Sequence, residues 1–502
     1  MPKRIARSQR PEITLDQYAA APLYKQLYER LRAEILSGQL EAGARLPSTR
    51  TLASELGVSR NTTALAYEQL LMEGYIESKV GDGTRVAHLQ PEQTLQVRRS
   101  GRRPTANRQP VTRDELLGRR GQLLAGLTWL EEEMHPDGTL NTAFRIGQPD
   151  VMSFPYEIWA RLISRHARQS LSTFTAYADA QGYAPLREAI AAHIGITRGV
   201  HCSPEQIILT AGAQGALDLL ARVLLDPGDV AWVEDPGYPG ARGALLGAGA
   251  TLVQVPVDQE GIDVEAGRRL CQQARLAVVT PSHQFPTGVT MSLNRRLALL
   301  EWCREARAWI VEDDYDSEFR FSGRPLEALQ GLDSRGRVIY IGTFSKVLIP
   351  SLRLGYLIVP PALLKGMVAT RRLIDVYLPL LEQLALTDFI VEGHFARHLR
   401  KMRIQYLERR NTLVEGLRKE LGDRVDVMVP QAGMHLMAWL PTGLDARHVA
   451  RQTTRHGLLT TPIVQNSQHA SARQGLMLGF ANATSMELEA AVKILARTFK
   501  EL

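Results

Sequence analysis

The chain has 502 residues, 44% of them hydrophobic and 23% charged, which is typical of folded multidomain proteins and excludes the collagen-like and largely disordered classes. It contains no apolar run of membrane-spanning length and no secretory signal pattern, so we expect a cytoplasmic protein that does not insert into a membrane. The formal net charge is +7, and the whole excess lies in residues 1–120, where 20 Lys and Arg accompany 13 Asp and Glu. Such a one-sided charge favours a nucleic-acid-binding segment joined to a neutral domain.

Three helices followed by a β-hairpin are predicted in the first 90 residues. A second helix is predicted at Thr49–Leu56, and Ser59 is a suitable N-cap for the third. Two short apolar strands around Gly81–Asp82–Gly83 indicate the hairpin. The residues that recur at helical spacing are Leu23, Leu27, Leu31 and Ile35 in the first helix and Thr63, Ala66, Tyr67 and Leu70 in the third. This order predicts a winged helix-turn-helix, with the start of the third helix exposed to DNA.

This segment resembles the GntR family of bacterial regulators. The matching stretches are PLYKQLYERLRAEILSG, LPSTRTLASELGVSRNT, EGYI and GDGT. The resemblance implies a domain over residues 21–89 that binds a double-stranded DNA operator. The implied DNA-binding residues are Arg45, Ser48, Arg50, Ser59, Arg60, Asn61, Thr62, Thr63, Lys79, Gly81 and Gly83. Thr63 departs from the family, which usually has an apolar residue there, and a buried hydroxyl at this position could bond a preceding helical carbonyl.

Residues 90–125 are rich in Arg, Pro and Gln and poor in large apolar residues, which predicts a linker. After residue 140, short apolar runs alternate with longer helical patterns, which predicts an α/β domain with a mostly parallel sheet covered by helices. The predicted strands are Ile207–Thr210, Val230–Val233, Leu252–Val255, Ala277–Thr280, Trp309–Val311 and Val338–Ile341. We expect this domain to cover residues 140–500.

Four segments of the second domain carry candidate chemistry. TAGAQGALDLL predicts a strand, a small-residue turn and a helix N-terminus that could bind a phosphate, although a structural turn has the same pattern. VEDPGYPG places Tyr238 on a turn, where its ring could cover a flat cofactor or only pack. WIVEDDYDSEF puts Asp313 and Tyr315 on one face of a strand, where a carboxylate could pair with a pyridine nitrogen or cap a helix. YIGTFSKVLIPSLRLGY offers Lys346 as a Schiff-base amine, with Arg353 for a phosphate.

Together these segments resemble fold-type I aminotransferases. The combination of TPSHQFPTG, EDDYDSEFR and GTFSK with a GntR-type head resembles the MocR subfamily of regulators. The resemblance implies pyridoxal 5'-phosphate (PLP) held by Lys346, with Asp313 at the pyridine nitrogen, Tyr315 at the ring hydroxyl and Tyr238 stacked on the ring. It also implies a smaller C-terminal α+β part. The other implied cofactor-binding residues are Gly212, Ala213, Gln214, Thr343, Ser345, Arg353 and Tyr177, the last lent to the neighbouring subunit of a homodimer.

The resemblance implies a transcription regulator that senses an amine or amino-acid-like effector. The effector would replace Lys346 on the cofactor, forming an external aldimine, and so shift how the dimer presents its DNA-binding heads. One alternative is an active aminotransferase that carries a DNA-binding head, and another is a DNA-binding scaffold whose second domain binds no cofactor. Cys202, Cys271 and Cys303 are far apart and follow no C-x-x-C pattern, so we expect neither a disulfide framework nor a metal site.

Two positions depart from the aminotransferase pattern. Phe285 replaces an asparagine that would bond the ring oxygen, so that contact falls to Tyr315, His283 or Gln284, or it is lost. Met477 replaces an arginine that would hold a substrate carboxylate, and methionine offers no donor fork. Arg242, Arg473 and His283 are the candidate effector-binding residues, unless the effector is not a carboxylate. These departures favour a sensor, with weak transaminase activity at most.

Overall fold

The computed structural model describes residues 13–16, 19, 21–79, 83–88, 117–127, 141–168, 178–323, 327–463 and 473–502. The chain divides into two compact units, Met1–Val111 and Thr112–Leu502, and the division falls within the Arg-rich segment 90–125. Among the described helices, none is both long and apolar enough to cross a membrane.

The first unit is a winged helix, as predicted. Its elements are α1 (Leu23–Ser37), α2 (Thr49–Leu56), α3 (Arg60–Met72), β1 (Ile76–Lys79) and β2 (Gly83–Val86). Strands β1 and β2 pair in antiparallel fashion, which confirms the hairpin, although residues 80–82 at its tip lie outside the described residues. The helical spacing is also confirmed apart from Leu23, which is only partly buried: Leu27, Leu31, Ile35, Ala66, Tyr67 and Leu70 are all buried.

Ser59 caps α3, so the loss of its hydroxyl should lower the stability of this helix. The Ser59 hydroxyl oxygen accepts the backbone N–H of Thr62 at 3.1 Å. We expect Ser59→Ala to destabilise α3 by about 1 kcal/mol, which corresponds to roughly fivefold faster amide exchange in that helix. Hydrogen exchange followed by mass spectrometry on the full chain measures this. Ser37→Ala, in α1, is the matched control, and unchanged exchange of α3 in the Ser59 variant would contradict the capping role.

The predicted linker extends too far toward the C-terminus. Helix α4 (Arg119–Ala125) belongs to the second unit, and a Cβ placed at Gly247 would lie 3.7 Å from Leu124. The prediction rested on the average composition of residues 90–125, which concealed the apolar contact that Leu124 supplies. The rest of the predicted linker, apart from residues 117 and 118, lies outside the described residues.

An eight-stranded, mostly parallel sheet forms the centre of the second unit, which confirms the predicted fold class. The five neighbouring strands β9, β8, β7, β4 and β5 run parallel, while β10, β3 and β6 are antiparallel to their neighbours. The strands are β3 (Ile207–Thr210), β4 (Val230–Asp235), β5 (Thr251–Asp258), β6 (Gly261–Ile262), β7 (Leu276–Val279), β8 (Trp309–Asp314), β9 (Val338–Thr343) and β10 (Gly355–Ile358). All six predicted strands are therefore present.

Successive side chains of the central strands enter two separate cores. In β4, Val233 packs into one core and Trp232 into the other, and Val311 and Ile310 of β8 divide in the same way. Both faces are therefore covered, as expected for a parallel sheet. The helices before and around the sheet are α5 (Tyr156–Ala167), α6 (Ala184–Arg198), α7 (Gly212–Leu224), α8 (Pro239–Ala248), α9 (Val264–Cys271), α10 (Leu293–Ala306), α11 (Pro361–Asp375) and α12 (Leu380–Val391).

The smaller C-terminal α+β part is also present. It has an antiparallel sheet in the order β11 (Asp426–Met428), β12 (His435–Trp439), β14 (Gly475–Gly479) and β13 (Thr461–Pro462). Its helices are α13 (His394–Leu421), α14 (Ala446–Arg455) and α15 (Ser485–Glu501). Leu436 of β12 and Leu478 of β14 share a core with Leu417 and Leu495 of these helices, so one face of the small sheet is covered by them.

Candidate functional site

A cavity lies at the carboxyl ends of the parallel strands β4, β7 and β8, where open α/β sheets bind ligands. Its lining residues are Val233, Glu234, Tyr238, Ala241, Val278, Thr280 and Asp313. Tyr238 comes just before α8 and Asp313 lies near the end of β8, so an aromatic ring and a carboxyl group border the same space. This arrangement suits a flat ring that bears a protonated nitrogen.

Asp313 has an unsatisfied acceptor in this cavity. The side chain is buried, and among the described residues Oδ1 has no hydrogen-bond partner. Burial and the neighbouring carboxyls of Asp314 and Glu234 raise the pKa of Asp313 to about 7. Because a buried polar atom without a partner is costly, this oxygen calls for a donor from outside the described residues. A protonated ring nitrogen is such a donor.

Glu234 is a second buried carboxyl beside the cavity, and sequence reasoning missed it. The only signal was an acidic residue within an apolar strand. Glu234 accepts hydrogen bonds from Thr280 Oγ1 at 2.6 Å and from Gln284 Nε2 at 3.1 Å, and burial raises its pKa to about 7. Gln284 Nε2 also donates to the Pro236 carbonyl, and its Oε1 accepts from Thr287. The amide of Gln284 is therefore occupied and does not replace the missing asparagine.

Lys346 follows β9, and its amine meets the loop before α5. The Nζ atom donates to the Gly147 carbonyl at 2.9 Å. A Cβ at Gly147 would lie 2.9 Å from the same Nζ, so glycine leaves room for the amine. The positive charge of Lys346 acts to lower the pKa of Asp313, against the larger effect of burial. Sequence reasoning did not identify Gly147.

The candidate phosphate-binding residues gather at the N-terminus of α7. Gly212 begins this helix with a φ of 73°, and a Cβ there would lie 3.4 Å from the Arg353 guanidinium. Arg353 Nη2 donates to the Ala211 carbonyl at 3.0 Å. Ser345 Oγ is buried without a partner among the described residues, and Thr343 Oγ1 accepts the Ser345 N–H. A guanidinium, a spare hydroxyl and a helix N-terminus form an anion-binding group.

Gln214 links this helix start to the turn that carries Tyr238. The Tyr238 hydroxyl lies 3.5 Å from Gln214 Oε1, and Gln214 Nε2 donates to the Gly240 carbonyl at 3.0 Å. Ala213 and Tyr238 are both partly buried against the same core. The first turn of α7 therefore positions the tyrosine as well as the proposed anion site.

A cluster of buried polar side chains lies next to Tyr315. His283 Nδ1 lies 3.0 Å from the Tyr315 hydroxyl and 3.0 Å from Asp316 Oδ2. Burial lowers the pKa of His435 to about 3, and its Nε2 lies 3.0 Å from the Pro286 carbonyl. The candidate ligand atoms of His283, Asp316 and His435 all lie within 4.8 Å of one another. Sequence reasoning considered only cysteine spacing for metals and did not identify this group.

Phe285 brings an apolar ring to the position of the missing asparagine. Its ring centroid lies 5.8 Å from that of Tyr238 and 6.2 Å from that of Tyr315. Of the three side chains considered for the lost contact, Gln284 is occupied, while Tyr315 remains beside Phe285 and is bonded to His283. The substitution thus leaves an aromatic wall next to the cavity.

The candidate effector-binding arginines lie in different places. Arg473 pairs with Asp426 on the surface, where both side chains are more than half exposed. Arg242 lies one helical turn after Tyr238, next to the lining residue Ala241, and burial lowers its pKa. The structure therefore places Arg242 near the cavity and Arg473 on the surface. Tyr177 lies outside the described residues.

The first unit presents a candidate DNA interface. Arg60 and Asn61 begin α3 and are exposed, as are Arg45 and Arg50. Arg45 lies against the wing, because a Cβ at Gly83 would be 3.3 Å from its Nε. Such side chains suit phosphate and base contacts. The Lys79 side chain and Gly81 lie outside the described residues.

Three hydroxyl residues of this interface prediction have structural roles. Ser48 and Ser59 accept the backbone N–H groups of Thr51 and Thr62 as helix caps. Thr63 is fully buried, and its Oγ1 has no partner among the described residues. The prediction that Thr63 contacts DNA or bonds a helical carbonyl was wrong, because its spacing from Ala66 and Leu70 places it in the core.

Comparison with known proteins identifies a family for each of the two units. Residues 143–495 match aminotransferase class I and II, and residues 23–86 match the bacterial regulatory proteins of the gntR family. The chain is 43% identical to the probable rhizopine catabolism regulatory protein MocR of Rhizobium meliloti, over 98% of this chain and 96% of that protein. It is 32% identical to the HTH-type transcriptional regulator TauR of Rhodobacter capsulatus, over 88% of each. The structure of LysN, an alpha-aminoadipate aminotransferase from Thermus thermophilus complexed with N-(5'-phosphopyridoxyl)-L-leucine, matches with a TM-score of 0.70 and 30% identity, over 77% of this chain and 98% of that one.

Proposed function

Because the chain belongs to the MocR-type transcription regulators, in which a gntR-family domain precedes an aminotransferase class I and II domain, we propose that it binds PLP at Lys346 and detects an amine effector there. The observation that carries this proposal is a convergence around one cavity. Asp313 and Tyr238 line it, Asp313 Oδ1 has no partner among the described residues, and the charge of Lys346 acts on the Asp313 carboxyl.

PLP supplies an aldehyde that condenses reversibly with amines and a ring that withdraws electrons. Lys346 would hold the aldehyde carbon, and Asp313 would accept the hydrogen of the ring nitrogen. Tyr238 would cover the ring, while Arg353 and Ser345 would bind the phosphate at the start of α7. Asp313 Oδ1 and Ser345 Oγ, which have no hydrogen-bond partner among the described residues, support this fit. A phosphopyridoxyl adduct of leucine is present in the related LysN structure.

Effector binding would replace the Lys346 amine with the amine of the effector, and the lysine would leave as a free amine. A ligand shifts a two-state equilibrium only by the difference between its affinities for the two states. We propose that the freed Lys346 and the effector contacts supply this difference and change how a homodimer presents its DNA-binding units. In that dimer, Tyr177 would reach the neighbouring cofactor site, and the regulator would act in the cytoplasm.

The test combines absorbance with DNA binding. We expect the full-length protein purified with PLP to show a visible absorbance band, and a screen of amines and amino acids to yield compounds that shift it. Each such compound should change the affinity for a duplex that the protein selects from a random-sequence pool. Absence of the band, or shifts that leave DNA affinity unchanged, would overturn the proposal.

Arg50→Ala tests the proposed DNA phosphate contacts. We expect weaker binding of a labelled random-sequence duplex and a salt-dependence slope smaller by about 1, because one phosphate contact is lost. Fluorescence anisotropy at several salt concentrations measures the slope. Lys365→Ala, which removes a charge from α11 in the second unit, is the control. A slope that stays the same in the Arg50 variant would place this arginine away from the DNA.

An active aminotransferase with a DNA-binding head is the second candidate. Similarity to LysN over 98% of that enzyme favours it. It predicts steady amino transfer at about 1 to 10³ per second. Met477 weighs against it because methionine cannot pair with a substrate carboxylate. A steady-state assay with a panel of amino donors and oxo acids separates the two candidates, and rates in that range would establish the enzyme.

A further inference from the structure

One face of the small C-terminal sheet is lined by methionines. In register, Met477 of β14 lies opposite Met437 of β12, which lies opposite Met428 of β11, and Thr461 of β13 flanks Met477 on the other side. Met477 is 5% exposed and Met437 is 1% exposed. Methionine is apolar and adaptable in shape, so this row can pack against varied uncharged groups.

This row lies close to Lys346. Gly479 comes two residues after Met477 and therefore shares its face of β14. A Cβ at Gly479 would collide with the backbone of residues 145–146, at 2.1 Å from the carbonyl oxygen of Arg145. The next residue along, Gly147, accepts the hydrogen bond from Lys346 Nζ. The methionine face thus lies against the loop that binds the Lys346 amine, because Gly479 also donates its backbone N–H to the Phe144 carbonyl at 3.0 Å.

Ile146 and Phe285 extend the apolar wall toward the cofactor cavity. Both pack against the cluster that contains Met437 and Met477. The Phe285 ring also contacts that of Tyr238, which lines the cavity. An apolar surface therefore runs from the surroundings of Lys346 to Tyr238.

Several cationic groups of the second unit are committed elsewhere and do not serve a carboxylate at this wall. Arg473 is paired with Asp426 on the surface, and Arg353 lies at the start of α7. His435 Nε2 donates to the Pro286 carbonyl, at 3.0 Å, so this ring nitrogen is already bonded within the chain. Of the segments of the second unit outside the described residues, 128–140, 169–177 and 464–472 contain no Lys or Arg, while 112–116 and 324–326 contain Arg113 and Arg324.

Among the described arginines, Arg145 and Arg242 are chosen for a direct test as carboxylate anchors. The backbone of Arg145 touches Gly479, at the end of the methionine face. Arg242 lies beyond Tyr238 on α8, where the negative charge of Asp235 acts on its guanidinium. Arg242 therefore has an acidic neighbour of its own.

We infer that the effector is a primary amine without a carboxylate beside its amino group, and that the wall of Met477, Met437, Ile146 and Phe285 selects it. This inference rests on the proposed function, because it concerns the amine that replaces Lys346. An ionised carboxylate against an apolar wall would lose hydration without gaining a cationic partner. We expect this loss to disfavour amino acids by at least about 10-fold relative to the same amines without the carboxylate.

Matched pairs of ligands test the inference. The PLP-loaded full-length protein is titrated with 2-phenylethylamine against L-phenylalanine and with propylamine against L-2-aminobutyrate. The shift of the visible band gives dissociation constants, expressed for the unprotonated amine, and thermal unfolding gives an independent measure of binding. We expect the amine of each pair to bind at least about 10-fold more tightly. Equal or tighter binding of the amino acids would overturn the inference.

Variants of the wall identify its role. Met477→Arg should tighten the binding of L-phenylalanine at least about 10-fold, because it supplies a cation for the carboxylate. Met477→Leu is the matched control and should keep the preference for the amine. Arg145→Ala and Arg242→Ala should also keep it. If wild-type protein prefers L-phenylalanine and either alanine variant removes that preference, the arginine concerned is a carboxylate anchor and the inference is wrong.

Failure of the proposed sensing function and failure of the inference about the effector give different results. A visible band that no amine and no amino acid shifts would overturn the proposed sensing function, together with the inference that rests on it. A band that amino acids shift and the matched amines do not would leave the sensing function intact and overturn only the inference. If Met477→Arg does not fold, the wild-type comparison alone still decides the outcome.

Discussion

Replacing Lys346 with alanine is expected to abolish the visible absorbance band of PLP-loaded protein and with it every spectral response to amines. The reason is that alanine cannot condense with an aldehyde, whereas the Lys346 amine is placed near Asp313 by its bond to the Gly147 carbonyl. Lys346→Arg should lose the band as well, because a guanidinium stays protonated. Absorbance of the purified variants, with mass spectrometry of borohydride-treated wild-type peptides, measures this.

The control for this prediction is Lys365→Ala, a position in α11. It should keep the band and its response. DNA binding without effector should persist in all of these variants, because the first unit is unchanged. A band that survives in both Lys346 variants, or an adduct located on another lysine, would disprove the assignment of Lys346.

The Asp313→Asn variant is expected to bind PLP about 10- to 100-fold more weakly, which corresponds to the loss of one hydrogen bond to a charged group. Asn offers a neutral acceptor in place of the carboxylate oxygen that is unpartnered in the cavity. Fluorescence or dialysis titrations with PLP give the dissociation constants. Asp218→Asn, an exposed position in α7 paired with Arg222, is the control. Equal affinities for wild type and Asp313→Asn would show that this carboxyl does not contact the cofactor.

Before PLP is added, the difference in melting temperature between Asp313→Asn and the wild type should depend on pH. Burial raises the pKa of Asp313 from its ordinary value, 3.8, to about 7. The folded state therefore disfavours the ionised carboxyl. The resulting loss of folding free energy is absent below pH 4, grows between pH 4 and 7, and is constant above pH 7. Cofactor-free Asp313→Asn should thus have the higher melting temperature at pH 8, with a difference that shrinks as the pH falls toward 4. A constant difference would contradict the raised pKa.

Local patterns predicted the helices and strands well. Helix α2 has the predicted bounds Thr49–Leu56, Ser59 caps α3, and β3 occupies Ile207–Thr210 as expected. Capping and alternation depend on residues a few positions apart, so the chain shows them directly. The motif residues near the cavity, Lys346 and Asp313, were identified for a similar reason, since each lies next to the end of a strand.

Local patterns could not show which polar groups were already occupied. Gln284 was a candidate for the ring contact, but its amide is bonded to Glu234 and Thr287. Thr63 was a candidate for DNA contact, but the packing of α3 buries it. The partners of Gln284 and the core around Thr63 include residues on other elements, which a single stretch of sequence does not reveal.

The sequence by itself determined the two-part organisation and the parallel sheet, and it supplied the residues proposed to hold PLP, because each follows from charge, periodicity or a contiguous motif. Only the tertiary structure decided what surrounds the Lys346 amine. Its bond to Gly147 spans 199 positions, and Met477 approaches the same loop through Gly479 of another sheet. Contacts between such distant residues depend on strand order and register, which the local pattern of one chain does not encode.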